Sequence, residues 1–236
     1  MRRSRPPAPA PVPFSPEAAR AHRAGLGLTP EQVAAGMAAH GVRLPAAHVL
    51  GWESGVIRPG EEEFIALARA LWCPAAQLMG TAPDSLRDFR VARELTQEQT
   101  AARIGIGLHS YASAEQTGRW SGDADQSAAL VEVLGLRLRD LVRITGVAEE
   151  LDQRLRQCVD GRWQAQLKAV AKLVPVPRES IATALAALQN EHQVPSHWGS
   201  STWGPATPAV EPEPAEPPYD RFWALLARTD TGGLPV

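Results

Sequence analysis

The side chains able to do chemistry are few and scattered. Six histidines stand at His22, His40, His48, His109, His192 and His197. No two fall at the HxxxH or HExxH spacing that puts a metal-binding pair on one helix face. Cys73 and Cys158 belong to no CxxC pair and no Cys/His cluster, so they read as ordinary reduced thilos of a cytoplasmic protein. There is no P-loop and no GxGxxG, and Gly105-Ile106-Gly107 reads as a turn. Enzyme, cofactor and metal chemistry find no support. Arginine is the exception, with only Lys168 and Lys172 standing for lysine among 24 basic residues. Arg90, Arg93, Arg103 and Arg119 lie around Gln97, where their guanidinium groups suit phosphate oxygens. The competing reading pairs them with Asp88, Glu94 and Glu98 on a solvated face.

The elements that position these residues are short helices. Thr96 is a helix cap, Gln99 completes a capping box, and Leu95 is apolar just before the cap. Ala101 and Ile104 share the inward face, and Gly105 ends the helix. A second helix starts after Gly107, with Leu108, Tyr111 and Ala114 inward. Two short helices joined by a tight glycine turn make a helix-turn-helix unit. The same chemistry opens at Thr29-Pro30-Glu31-Gln32, with Val33 and Met37 inward and Gly41 as the stop.

Around these pairs the spacing predicts helices from Ser15-Pro16 to about Ala24, closed by Gly25, and from Pro45 to Glu53, the latter burying Val49 and Trp52. Further helices follow Glu61-Glu62-Glu63 (buried face Phe64, Leu67, Ala68, Leu71) and Cys73-Pro74. The order then recurs: Asp84 or Ser85 to Glu94, then 97–104, 108–116, 123–134 and 138–145. Thr29 and Thr96 are 67 residues apart, whereas Glu53 and Glu115 are 62 apart. The five-residue difference places a longer helix or turn in the first copy near Ala38–Arg43.

The stretch Leu95–Gly105 and the helix after it resemble the Cro/repressor-like (XRE-type) helix-turn-helix family, whose second helix enters the DNA major groove. The resemblance covers roughly residues 15–146 as two copies. It implies an all-α chain: two five-helix modules in tandem, a small helical region, and a disordered linker with a C-terminal amphipathic helix. Mapping the family pattern onto the second copy turns Leu108, His109, Ser110, Ala112, Ser113 and Gln116 outward. Thr96 and Gln97 stand at the start of the preceding helix, where the family meets phosphate or base, and Arg103 and Arg119 hold phosphates. In the first copy the outward set is Ala46, Ala47, His48, Leu50 and Gly51, flanked by Arg43 and Arg58. Pro30 replaces the polar residue of Gln97. This set offers thymine-methyl contact but little hydrogen-bond readout, so the first copy contributes phosphate contacts or a protein interface.

The expected boundaries are a basic disordered leader at 1–14, modules at 15–82 and 83–146, and a helical region at 147–193. A Pro/Gly/Ser linker at 194–218 and an aromatic motif at 219–236 complete the chain. The helical region serves as a hairpin, a dimerisation element or a third module. Tyr219, Phe222, Trp223 and Leu226 share one helical face that needs an apolar partner: the chain itself, a second subunit or another protein. This order resembles helix-turn-helix regulators common in actinobacteria. Net charge is −2, so DNA affinity must come from placement of charge and not its excess. No apolar run reaches membrane-spanning length. The reading is a cytoplasmic, nucleoid-associated regulator, homodimeric, binding double-stranded DNA without a cofactor. The alternative is a protein-interaction scaffold.

Overall fold

The computed structural model describes residues 11–193 and 216–236. Among them are thirteen α-helices and one 3₁₀ turn, with one antiparallel bridge between Phe14 and Met79. None of these helices is long and apolar enough to cross a membrane. The chain forms two units. One runs to Ala102 and includes Gly107–Glu115; the other holds Arg103–Ile106 and Gln116–Val236.

The first unit begins with α1 (Pro16–Gly25), whose start is set by the Ser15 hydroxyl accepting from the Ala18 N–H at 3.1 Å. Helix α2 (Pro30–Ala39) carries a full capping box: Gln32 N–H donates to Thr29 Oγ1 at 3.3 Å, and Thr29 N–H donates to Gln32 Oε1 at 2.8 Å. Helix α3 (Ala46–Glu53), helix α4 (Glu61–Ala70) and the 3₁₀ turn Ala75–Leu78 follow. Val33, Met37, Val49, Trp52, Phe64, Leu67 and Leu78 form one buried core. Helix α2 comes close to α4 at Gly36, where an added Cβ would stand 3.2 Å from the Ala70 Cβ.

The end of the expected leader belongs to this core. Val12 and Phe14 are buried, Phe14 meets the Phe64 ring edge-on at 6.2 Å, and Gly80 N–H donates to Pro13 O at 3.2 Å. Two apolar side chains in a Pro/Ala-rich stretch found an apolar surface, so order begins before Ser15. Arg2, Arg3 and Arg5 lie outside the described residues.

Helices α5 (Leu86–Ala92), α6 (Gln97–Ile104) and α7 (Leu108–Thr117) repeat the first three. Thr96 and Gln99 form the same box as Thr29 and Gln32. Arg23 Nη1 donates to Leu28 O at 2.9 Å, and Arg90 Nη1 donates to Leu95 O at 2.8 Å, again 67 residues on. Gly27 has φ +66° and its counterpart Glu94 has φ +56°. Helix α5, α6 through Ala102 and α7 through Glu115 fall within the first unit.

The second unit contains α8 (Ala124–Leu134), α9 (Leu138–Ile144), α10 (Ala148–Asp160), α11 (Trp163–Leu173), α12 (Arg178–Gln193) and α13 (Pro218–Leu226). Asp123 and Gln126 form the capping box of α8. Helices α10 to α13 pack together around Leu151, Leu155, Val170, Ile181, Leu185 and Leu188. The aromatic motif therefore folds back on its own chain. Phe222, Trp223 and Leu226 are buried against α10 and α12, and Arg221 forks onto Glu191 at 2.7 and 2.6 Å. Tyr219 remains half-buried under the Arg139 guanidinium. As a surface for an outside partner this face is withdrawn, because α10 and α12 already cover its apolar side chains. Residues 194–215, with His197-Trp198 and Thr202-Trp203-Gly204, lie outside the described residues.

Two substitutions test this architecture. Phe14→Ala should lower unfolding free energy by about 3 kcal/mol in a urea titration; a disordered leader would leave it within about 0.5 kcal/mol. Trp72 is exposed with φ +48°, where the second copy has Gly135 at φ +63°. Trp72→Gly should raise stability by about 1 kcal/mol by removing left-handed strain, read in the same titration.

Candidate nucleic-acid interface

Helix α7 has one buried side and one open side. Tyr111 and Ala114 face inward; Leu108, placed inward by its spacing, is instead exposed at the first position of the helix, with His109, Ser110, Ser113 and Gln116. Glu115 is its only acidic residue, and its side chain is 4% exposed. Arg90 holds it there: Nε donates to Glu115 Oε1 at 2.6 Å and Nη2 donates to Oε2 at 3.1 Å. The open side of α7 thus carries hydroxyl, imidazole and amide groups, with Leu108 at its start, and no carboxylate.

Helix α3 is built on the same pair. Arg23 Nε and Nη2 donate to Glu53 Oε1 and Oε2 at 2.6 and 2.7 Å. Arg20 also donates to the Glu53 carbonyl. Ala47 and His48 are exposed, Ala46 is half-buried, and the His48 ring packs edge-on to Trp52. Leu50 is 51% exposed, and just after the helix Val56 is 80% exposed and Ile57 39%. Arg43 and Arg58 are exposed, with no ion pair among the described residues. The open side of α3 is therefore apolar with arginines near its ends, unlike the polar side of α7.

The remaining predicted residues separate by what they touch. Thr96 caps α6. Gln97 is half-buried, and its amide donates to Glu115 Oε2 at 2.7 Å, so this side chain steadies α7 from beneath. Arg103 in the last turn of α6 and Arg119 after α7 are both exposed. Arg90 is a correction. It is 1% exposed, so it is a core residue and no candidate for phosphate. The signal for it was present, since Arg23 and Arg90 share the 67-residue offset of the caps and Glu53 and Glu115 share the other.

The charges beneath α7 are strongly coupled. Burial opposes the Arg90 charge, but Glu115 and Glu61 outweigh it and push its pKa up. Burial likewise pushes the Tyr111 phenol up, aided by Glu115, and its hydroxyl has no hydrogen-bond partner among the described residues. Both cysteines are buried, and burial pushes the Cys158 thiol up to about 11. Among the described residues no three His, Cys, Asp or Glu gather as a metal site.

For Glu61, burial raises the pKa, but Arg90 and then Arg87 outweigh it and hold the carboxyl below the ordinary glutamate value. A lowered folded pKa contributes stability that is complete above the unfolded value, about 4.3, and is lost as pH falls through the folded one. The stability difference between wild type and Glu61→Gln should be constant from about pH 7 to 5 and shrink below about pH 4.3. Urea unfolding at a series of pH values measures it; a difference that grows on acidification would contradict the assignment.

Comparison with family models, with curated proteins and with solved structures finds no match.

Proposed function

We propose that the chain is a sequence-specific binder of double-stranded DNA, a transcriptional regulator of the Cro/repressor-like helix-turn-helix type acting on nucleoid DNA in the cytoplasm. The observation that carries this reading is the open side of α7. Its exposed polar residues include His109, Ser110, Ser113 and Gln116, and its one acid is drawn inward by Arg90. A helix entering the major groove needs polar side chains for base edges and no exposed carboxylate against the phosphates. Ser110, Ser113 and Gln116 supply donors and acceptors. Arg103 and Arg119 supply positive charge at the ends of α6 and α7, with no ion pair for either among the described residues. Leu108, at the first position of α7, offers a thymine-methyl contact.

The first copy takes a lesser part in base reading. Its exposed Ala47 and Leu50 suit methyl groups, and Arg43 and Arg58 suit phosphates. The exposed Leu50, Val56 and Ile57 also favour a second reading, in which this copy binds a protein. Because Phe222, Trp223 and Leu226 are buried, a homodimer would form through a different surface.

Selection from random duplex DNA, followed by anisotropy over a salt series, tests the proposal. The logarithm of affinity should fall steeply and linearly with log salt. Joint Arg103→Ala and Arg119→Ala substitution should weaken binding to all sequences and reduce the salt slope by about 2. Gln116→Ala should instead relax preference at one base position by about 1–3 kcal/mol. Selection that enriches no sequence, or a double variant that retains full affinity, would overturn the reading.

A further inference from the structure

We propose that Glu61, the first residue of α4, is a positioning residue for α7, so that the first copy of the repeat sets the pose of the second copy's exposed helix. This rests on the reading of α7 as the DNA-contacting helix. The argument starts from the donors of Arg90. A guanidinium has five N–H groups, and all five are used. Nε donates to Glu115, Nη1 to Leu95 O and to Glu61, and Nη2 to Glu115 at 3.1 Å and to Glu61 at 3.1 Å. Two of the five bonds therefore reach α4 of the first copy.

The first copy shows what happens without that reach. Arg23 makes three bonds, two to Glu53 and one to Leu28 O, and its side chain is 18% exposed. Arg90 is 1% exposed, so water does not stand in for Glu61. The Glu61 carboxylate also accepts from Arg87 Nε at 3.1 Å, which ties it to two arginines one turn apart on α5. The position matching Glu61 in the second copy, by the offset that pairs Leu71 with Leu134, is Ala124. The link therefore occurs once in the described chain and runs from the first copy to the second.

The consequence passes through Glu115. Arg90 orients both oxygens of Glu115, and Glu115 in turn holds Gln97 and the last turns of α7. Removing Glu61 leaves two donors of a buried cation without acceptors. Arg90 must then turn toward water or pull Glu115 with it. Either movement loosens α7 without touching a DNA-facing side chain.

The test uses the full chain with Glu61→Ala, and Glu62→Ala as a control that removes an exposed acid from the same helix turn. Amide hydrogen exchange is read over 108–115 and, for comparison, over 64–70 in α4. In Glu61→Ala, exchange over 108–115 should quicken about tenfold or more, with 64–70 changed less than about twofold. Glu62→Ala should change neither. On the DNA selected with wild type, Glu61→Ala should bind about tenfold more weakly with an unchanged salt slope, since no phosphate contact is lost. Unchanged exchange over 108–115, or equal quickening in both segments, overturns the proposal. So does full DNA affinity in Glu61→Ala. Failure of wild type to bind DNA defeats the functional reading instead, and the exchange result still decides whether Glu61 holds α7.

Discussion

The first unit depends on a buried ion pair used twice. In each copy an arginine from the first helix forks onto a glutamate in the last turn of the third: Arg23 onto Glu53 and Arg90 onto Glu115. Taking both charges out of water is costly, and such a pair is weak evidence for stability as such. What it contributes is direction. Two parallel N–H···O bonds fix the rotation of the third helix about its own axis, so that one side is buried and the other stays open. In the fully buried pair, Arg90 with Glu115, breaking either half would leave a lone buried charge, at a cost of about 3–5 kcal/mol. That cost holds a short helix, the ten residues of α7, in one orientation although its apolar face is small.

The two copies keep this frame and differ in what they present. Equivalent core positions stay buried with changed side chains: Val49 and Trp52 in α3 against Tyr111 and Ala114 in α7. Large and small exchange places between them, which conserves volume better than identity. Outside the core the constraint lapses, and the open sides diverge into an apolar surface on α3 and a polar one on α7. The frame tolerates backbone strain as well. Trp72 and Glu94 both adopt positive φ where the other copy has glycine, and Glu94 also pairs with Arg69 at 2.9 Å.

The C-terminal part of the chain shows how an amphipathic motif is resolved. Tyr219, Phe222, Trp223 and Leu226 form an apolar stripe by spacing, and spacing is silent about the partner. Helices α10 and α12 supply it. Arg139 with Asp220 and Arg221 with Glu191 then anchor the rim at the polar edge of α13. Exposed ion pairs of this kind are worth little each, so burial of the aromatic rings is what holds the helix. The tail continues the return, with Leu138 N–H donating to Pro235 O at 2.7 Å.

Sequence by itself determined the local features. Ser15, Thr29 and Thr96 each cap the helix their chemistry announced, and of Asp84 and Ser85 it is Ser85 that caps the next, because a cap needs only neighbours three residues away. Inward residues such as Val33, Met37, Val49, Trp52, Tyr111 and Ala114 were legible for the same reason, as periodicity is a property of the chain, whereas Leu108 was not. The repeat offsets align Arg90 with Arg23 and Glu115 with Glu53, but they do not show burial, because an arginine's fate depends on which carboxylates the fold delivers to it. Glu115 comes from 25 residues ahead and Glu61 from 29 behind. Phe14, Phe222 and Trp223 were decided in the same way, since an apolar side chain is drawn to whichever surface tertiary packing makes nearest. Short-range hydrogen bonds write themselves into the order of residues; long-range burial and charge pairing exist only once distant segments meet.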